Sequence, residues 1–288
     1  RFERPNISLS ETIHIMSSNN DKPFLVLTCG PTGTGKSNFK RREIDNKLPE
    51  MNFKEISIDE DIENDETYKR EIYNIIIQNK IWSESDNTLI NRENITSPEV
   101  ISIMNKSYKR AKERQRAKRD RMIKSAISNQ SNVIIETTGK EIPIKYVNKF
   151  DNYNIVFCYI LIPVIDIKDR CYTRAITKMQ TFMSDPDNRA APRLPDTVIC
   201  NIVVEGNNII KHLMDLRNIC LKKIPLYHSE EELQDINYNN IEEYHESTES
   251  EKLCGNIKDK PNFGLIIYNN STVYGDGHIV VYNHFNNN

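Results

Sequence analysis

Most of the features that usually assign a chain quickly are scarce in these 288 residues. Long hydrophobic runs are missing. None approaches the ~18 apolar residues that cross a bilayer, so no helical membrane span is expected. Neither charge sign dominates: 39 Lys and Arg face 41 Asp and Glu, a net charge of −2. Bulk electrostatics therefore makes no case for nucleic-acid binding. The six cysteines (Cys29, Cys158, Cys171, Cys200, Cys220 and Cys254) contain no C-x-x-C pair. That pattern points to reduced thiols in a cytoplasmic protein rather than to a disulfide framework. The six histidines are scattered without H-x-x-x-H spacing, so no metal cluster is expected. Arg1-Phe2-Glu3-Arg4-Pro5 lacks a signal-peptide pattern, and no internal repeat is visible.

One stretch organises the rest. The apolar run Phe24-Leu25-Val26-Leu27-Thr28-Cys29 leads into Gly30-Pro31-Thr32-Gly33-Thr34-Gly35-Lys36-Ser37, and an amphipathic segment follows. This is the G-x-x-x-x-G-K-S phosphate loop in its required context, strand before and helix after. The glycines let successive N–H groups turn inward to form an anion nest, and the helix start adds partial positive charge. Residues Gly30 to Ser37 are the expected ATP-binding set. Lys36 reaches the β- and γ-phosphates, and the Ser37 hydroxyl ligates Mg²⁺.

The remaining chain alternates strands and helices. Residues 1–22 read as a tail or a short leading helix. Strands are expected at 23–29, 53–59, 132–139, 154–162, 264–268 and 278–282, the last two flanking a Gly275-Asp276-Gly277 turn. Helices are expected at 36–46, from about 61 to 80, at 97–128, 166–182 and 196–222. Ser97 and Pro98 mark the start of a strongly basic helix, 97–128. Residues 225–260 form an acidic insertion rich in glutamate and poor in large apolar groups. The fold class is α/β: a phosphate-loop nucleoside-triphosphatase (NTPase) fold with a mostly parallel five-stranded sheet, helices on both faces and a C-terminal β-hairpin. A single domain is expected over residues 23–288, after a tail at 1–22.

In such sheets ligands sit at the carboxyl ends of the strands. That rule gathers the loop, Asp59-Glu60-Asp61 and Glu136-Thr137-Thr138-Gly139 on one edge. A kinase acting on a hydroxyl needs an acceptor for the attacking proton. Asp59 and Asp61 are both candidates, and both also suit the acid-favouring start of a helix. Glu136 ends an apolar strand, where a carboxylate serves Mg²⁺ or contacts the acceptor. Arg170, Arg174, Arg189 and Arg193 are candidates to clamp a triphosphate. The basic helix offers a track for a phosphate backbone, but only Tyr108 interleaves it with an aromatic platform. Nucleic acid is therefore the less favoured partner.

Taken together, the motifs resemble the zeta toxin family of small-molecule kinases. The resemblance runs through Gly30 to Ser37, Ile58-Asp59-Glu60-Asp61 and Val133-Ile134-Ile135-Glu136-Thr137-Thr138-Gly139-Lys140. It continues in Arg174, in Asp185-Pro186-Asp187-Asn188-Arg189-Ala190-Ala191-Pro192, and in Tyr268-Asn269-Asn270-Ser271. It covers most of residues 23–285 in order. The segment between Asp61 and Ser131 and the 225–260 insertion depart from the family pattern, and acceptor choice would be decided there.

The resemblance implies an ATP- and Mg²⁺-dependent transfer to a hydroxyl of a small molecule, a nucleotide-activated sugar such as UDP-N-acetylglucosamine. It makes Asp61 the group that orients or deprotonates that hydroxyl. Lys36, Arg174 and Arg189 are its other catalytic residues, and Glu136, Thr138, Lys140 and Asp59 its acceptor-binding set. Zeta toxins pair with neutralising partners, and residues 1–22 show no clear docking helix for one. Two alternatives stand beside this reading: a polynucleotide 5′-hydroxyl kinase, and a nucleotide-binding assembly protein without catalysis.

Overall fold

The computed structural model describes residues 9–19, 21–30, 33–83, 88–89, 95, 97–137, 144–161, 164–193, 262–269 and 279–285. The expected helix at 196–222, the acidic insertion 225–260, Pro31, Thr32, Thr138, Lys140 and the 275–277 turn lie outside these residues. The chain divides into two compact units. One comprises residues 1–56, 125–166 and 203–288; the other comprises 57–124 and 167–202.

The first unit is an α/β sheet built on β1 (Phe24–Cys29), whose six residues are all buried. A short, continuously apolar strand suits the centre of a parallel sheet, where both faces are covered. On one side β1 pairs in parallel with β5 (Val133–Thr137), and on the other with β6 (Asn154–Leu161). β2 (Lys54–Glu55) lies beyond β5; β7 (Asn262–Asn269) and then β8 (Ile279–Phe285) lie beyond β6. The order is β2-β5-β1-β6-β7-β8, and only the β7–β8 pair is antiparallel. β2 is shorter than the alternation of residues 53–59 suggested. Its two ladder residues are exposed, and pairing ends with the Ile56 N–H donating to the Ile134 carbonyl at 3.0 Å.

Residues 9–19 form α1 (Leu9–Asn19), so the helix alternative for the leading segment is the one observed. Leu9, Ile13 and Met16, spaced on one helical face, are fully buried against Val26, Ile134, Val156 and Ile160 of the sheet. Burying each such side chain contributes about 1.5–3 kcal/mol. After the phosphate loop, α2 (Lys36–Phe39) continues as a π-helical stretch over Lys40–Asp45. Phe39 and Ile44 reach the same core. A short helix, α7 (Ile144–Lys149), precedes β6.

The second unit is helical. α3 (Asp59–Glu63) and α4 (Glu66–Gln78) are separated by Asp65, whose carboxylate caps α4 by accepting from the Tyr68 N–H at 2.8 Å. A small antiparallel pair, β3 (Trp82–Ser83) and β4 (Thr88–Leu89), follows. The basic helix begins at Pro98, as its start signal indicates, but is two helices: α5 (Pro98–Arg114) and α6 (Arg116–Ser128). At the break the Gln115 carbonyl accepts from both the Lys118 and Arg119 N–H groups, at 3.1 and 3.2 Å. α8 (Val164–Ser184) and the loop to Arg193 complete the unit. Its core joins Tyr68, Ile72 and Ile76 to Met104, Tyr108, Met179 and Phe182.

Candidate active site

In the first unit the loop leaves β1 at its carboxyl end. The Gly30 N–H extends the ladder by donating to the Thr137 carbonyl at 3.2 Å. Gly33 and Gly35 both have φ of 91°, in the left-handed region that side chains avoid. Gly30 is required for space. A Cβ there would stand 2.7 Å from Thr34 Oγ1 and 2.8 Å from the Ile160 carbonyl oxygen. The Lys36 ammonium folds back under the loop and donates to the Gly30 carbonyl at 2.8 Å. The Phe39 N–H bonds the Gly35 carbonyl at 2.9 Å, closing the first helical turn.

The register of β1 and β5 sets Glu136 opposite Thr28, two residues before the loop. From there its carboxylate accepts a hydrogen bond from Ser37 Oγ at 3.2 Å. A hydroxyl and a carboxylate oxygen side by side are hard donors of the kind Mg²⁺ takes, with its remaining positions left to water and phosphate. Among the described residues no group of three or more His, Cys, Asp or Glu side chains forms a closed metal cage. Cys29, Cys158 and Cys171 are buried thiols, and burial pushes the Cys158 thiol well up, which makes it a poor nucleophile.

In the second unit, Asp59 and Asp61 do not end a strand. They stand in the first turn of α3, where the helix dipole favours acids. Their surroundings differ. Asp59 Oδ1 accepts from the Tyr108 hydroxyl at 2.7 Å, and its Oδ2 lies 3.6 Å from Arg193 Nη1, an ion pair without a hydrogen bond. The Arg193 guanidinium also stacks on the Tyr108 ring, 4.0 Å from its centroid. Burial pushes the Tyr108 phenol up, Arg193 opposing and Asp59 adding to it, so it stays a protonated donor. Asp61 is held by one oxygen, Oδ1, which accepts from Lys118 Nζ at 2.5 Å. Its Oδ2 accepts no hydrogen bond among the described residues.

Glu63, two residues on and buried, receives both of its bonds from the Lys178 ammonium at 2.6 and 2.8 Å. Its backbone carbonyl takes the Ala191 N–H at 2.7 Å, which ties the 185–193 loop to α3. Arg174 is exposed on α8, and Arg189 is exposed in that loop. The arginine brought beside Asp59 is Arg193, not either of these. Tyr108, Lys118 and Lys178 carry no local motif. The only trace of Lys118 is the four-residue spacing of cations 110, 114 and 118, which matches that of Asp61 and Asp65.

Among the described residues no helix is long and apolar enough to cross a membrane. No family model and no curated protein sequence matches the chain. Among solved structures, a chain of the PezAT chromosomal toxin–antitoxin system of the human pathogen Streptococcus pneumoniae is similar at 14% identity. The match covers 87% of this chain and 94% of that one, with a TM-score of 0.40. So distant a likeness bears on no residue's chemistry, which rests on the contacts described above.

Proposed function

We propose that this chain is an ATP- and Mg²⁺-dependent phosphotransferase that moves the γ-phosphate to a hydroxyl of a small molecule. The first acceptor to offer is a nucleotide-activated sugar such as UDP-N-acetylglucosamine. The observation that carries the reading is the Ser37–Glu136 contact beside a sequence of phosphate-loop pattern, whose Gly33 and Gly35 take positive φ. With Lys36, these are the groups that a magnesium–nucleotide complex calls for. Bound Mg²⁺ would neutralise charge developing on the β- and γ-phosphate oxygens.

In this reading the loop N–H groups and Lys36 hold the phosphates, and Ser37 and Glu136 take the metal side. The company of Glu136 with Ser37 favours that role over acceptor contact. Asp61 serves the acceptor, as the motif resemblance implies; its Oδ1 is held by Lys118 and its Oδ2 accepts no hydrogen bond among the described residues, whereas Asp59 Oδ2 faces the Arg193 charge. As the acceptor oxygen bonds to phosphorus, the bond from phosphorus to the β–γ bridging oxygen breaks and ADP leaves. The hydroxyl proton passes to Asp61 Oδ2 and then to water. Arg193, held by its stack on Tyr108, joins Arg174 and Arg189 as a candidate for phosphate charge. Thr138 and Lys140 remain proposed acceptor contacts on the strength of the motif resemblance alone.

The polynucleotide-kinase alternative rested on the basic helix. Three of its cations, Arg110, Arg114 and Lys118, are paired with Glu71, Asp65 and Asp61 and are not a bare track for phosphates. The reading is tested by incubating the protein with Mg²⁺ and γ-labelled ATP, with UDP-N-acetylglucosamine or a 5′-hydroxyl oligonucleotide as acceptor. Label on the sugar nucleotide supports it. Label on the oligonucleotide alone replaces it with the polynucleotide reading.

A further inference from the structure

The basic stretch that starts at Pro98 is the most conspicuous feature that nucleotide chemistry leaves unused, and its contacts are ordered. Arg110 Nη2 meets Glu71 Oε2 at 2.7 Å, Arg114 Nη2 meets Asp65 Oδ1 at 2.5 Å, and Lys118 Nζ meets Asp61 Oδ1 at 2.5 Å. The cations are four residues apart. Their partners run in the opposite direction along α4 and α3, so the three pairs form a ladder between antiparallel segments. The first two rungs are anchored elsewhere too. Ser107 also donates to Glu71, and Asp65 also caps α4. The third ends on Asp61, the carboxylate for which the phosphotransferase reading needs a fixed orientation.

We propose that Lys118 is a positioning residue for Asp61. By holding Oδ1, it fixes the rotation of the carboxylate and turns Oδ2 toward the acceptor hydroxyl. This inference rests on the phosphotransferase reading. Asp59 provides the internal contrast. The same first turn of α3 carries three carboxylates, and two of them are held differently: Asp59 accepts from the Tyr108 hydroxyl and lies 3.6 Å from Arg193, whereas Asp61 accepts from Lys118 at a single oxygen. A carboxylate pinned at one oxygen is oriented without being used up.

The pair is not a stability device. Lys118 and Asp61 side chains are 47% and 32% exposed, and an ion pair that open contributes little to folding. Its value lies in orientation, since a proton acceptor works only within hydrogen-bond reach and alignment of the proton it takes. Two consequences follow. Removing the Lys118 charge slows turnover without weakening the hold on nucleotide, and an arginine at 118 preserves the function.

The test compares wild type with Lys118→Met, Lys118→Arg, Arg110→Gln and Asp61→Asn. The readout is turnover of γ-labelled Mg·ATP with water, UDP-N-acetylglucosamine and a 5′-hydroxyl oligonucleotide as acceptors. The expected result is a kcat about tenfold lower for Lys118→Met, with KM for ATP within about twofold of wild type. Lys118→Arg keeps kcat within about threefold, Arg110→Gln matches wild type, and Lys118→Met melts within about 2 °C of wild type. If Lys118→Met keeps full kcat while Asp61→Asn loses it, the inference falls and the phosphotransferase reading stands. A loss in Lys118→Arg or Arg110→Gln equal to that in Lys118→Met assigns Lys118 a structural role and also overturns the inference. If Asp61→Asn keeps full turnover, or wild type turns over no acceptor including water, the phosphotransferase reading itself falls, and the inference with it.

Discussion

Replacing Gly30 by alanine tests the phosphate loop at the atom where it is tightest. The new methyl would meet Thr34 Oγ1 at 2.7 Å and the Ile160 carbonyl oxygen at 2.8 Å, where ordinary contact begins at 3.4 Å. Each neighbour must therefore give by more than half an ångström. Thr34 is fully buried, and Ile160 belongs to β6, which is laddered to β7. Neither yields cheaply, and overpacking of this kind costs about 1–3 kcal/mol. Residue 30 must then shift away from both, and the Gly30 carbonyl that holds the Lys36 ammonium moves with it. A displacement of that size should weaken Mg·ATP binding about tenfold, equivalent to about 1.4 kcal/mol. Isothermal calorimetry with Mg·ATP reads the affinity, and thermal denaturation of the ligand-free protein reads the fold. The double variant Gly30→Ala/Thr34→Ala removes the side-chain clash but not the carbonyl, and should regain only part of the affinity. Wild-type affinity in Gly30→Ala would refute the reasoning, because the wall formed by Ile160 and Thr34 would then impose no constraint.

Two further predictions concern the helical unit. Lys178→Met leaves the buried Glu63 carboxylate without its cation. With Lys178 only 34% exposed, the loss is about 2 kcal/mol after allowance for solvent. Glu63→Gln/Lys178→Met should recover most of it in a urea melt, and a double variant as unstable as the single one would refute the pairing argument. The second is a pH dependence. Burial works to raise Asp65, but its bonds from Arg114 and the Tyr68 N–H hold the carboxyl below its ordinary 3.8. Burial also works to raise Glu71, and Ser107 with Arg110 holds it below 4.5. Both values are depressed in the folded state, so the unfolded chain takes up protons first as pH falls. The stability they contribute is complete above about pH 4.5 and is lost as pH drops through the folded values. Asp65→Asn and Glu71→Gln should flatten that acid limb in pH-dependent melts, and limbs as steep as wild type would count against the assignment.

What was legible in the sequence was what local chemistry dictates. The loop needs glycines at a positive φ and a strand before it, and both requirements are written in consecutive residues. The parallel central strands were legible because Phe24–Cys29 and Asn154–Leu161 are apolar without alternation, as a strand covered on both faces must be. The leading helix was half legible: Leu9, Ile13 and Met16 carry a helical stripe, but only packing on the sheet decides that it is used. The second strand was over-read, because alternation in residues 53–59 is equally compatible with two ladder residues followed by the start of α3. The surroundings of Asp59 and Asp61 were the least legible. They depend on Tyr108, Arg193 and Lys118, which lie 49 or more positions from the acid each one meets and carry no motif. The basic helix was half legible: its sequence disfavours nucleic acid, but which acids face Arg110, Arg114 and Lys118 is set by packing.

The proposed reaction requires Lys36 and Asp61 to do different parts of it. The measurement that tests this is transfer of γ-label from ATP to UDP-N-acetylglucosamine by wild type, Lys36→Ala and Asp61→Asn, with Mg·ATP binding measured on the same samples. Lys36→Ala should lose both binding and transfer. Asp61→Asn should bind Mg·ATP as wild type does and lose transfer by about a hundredfold or more. Transfer by Asp61→Asn within a few-fold of wild type would contradict the claim that this carboxylate serves the acceptor.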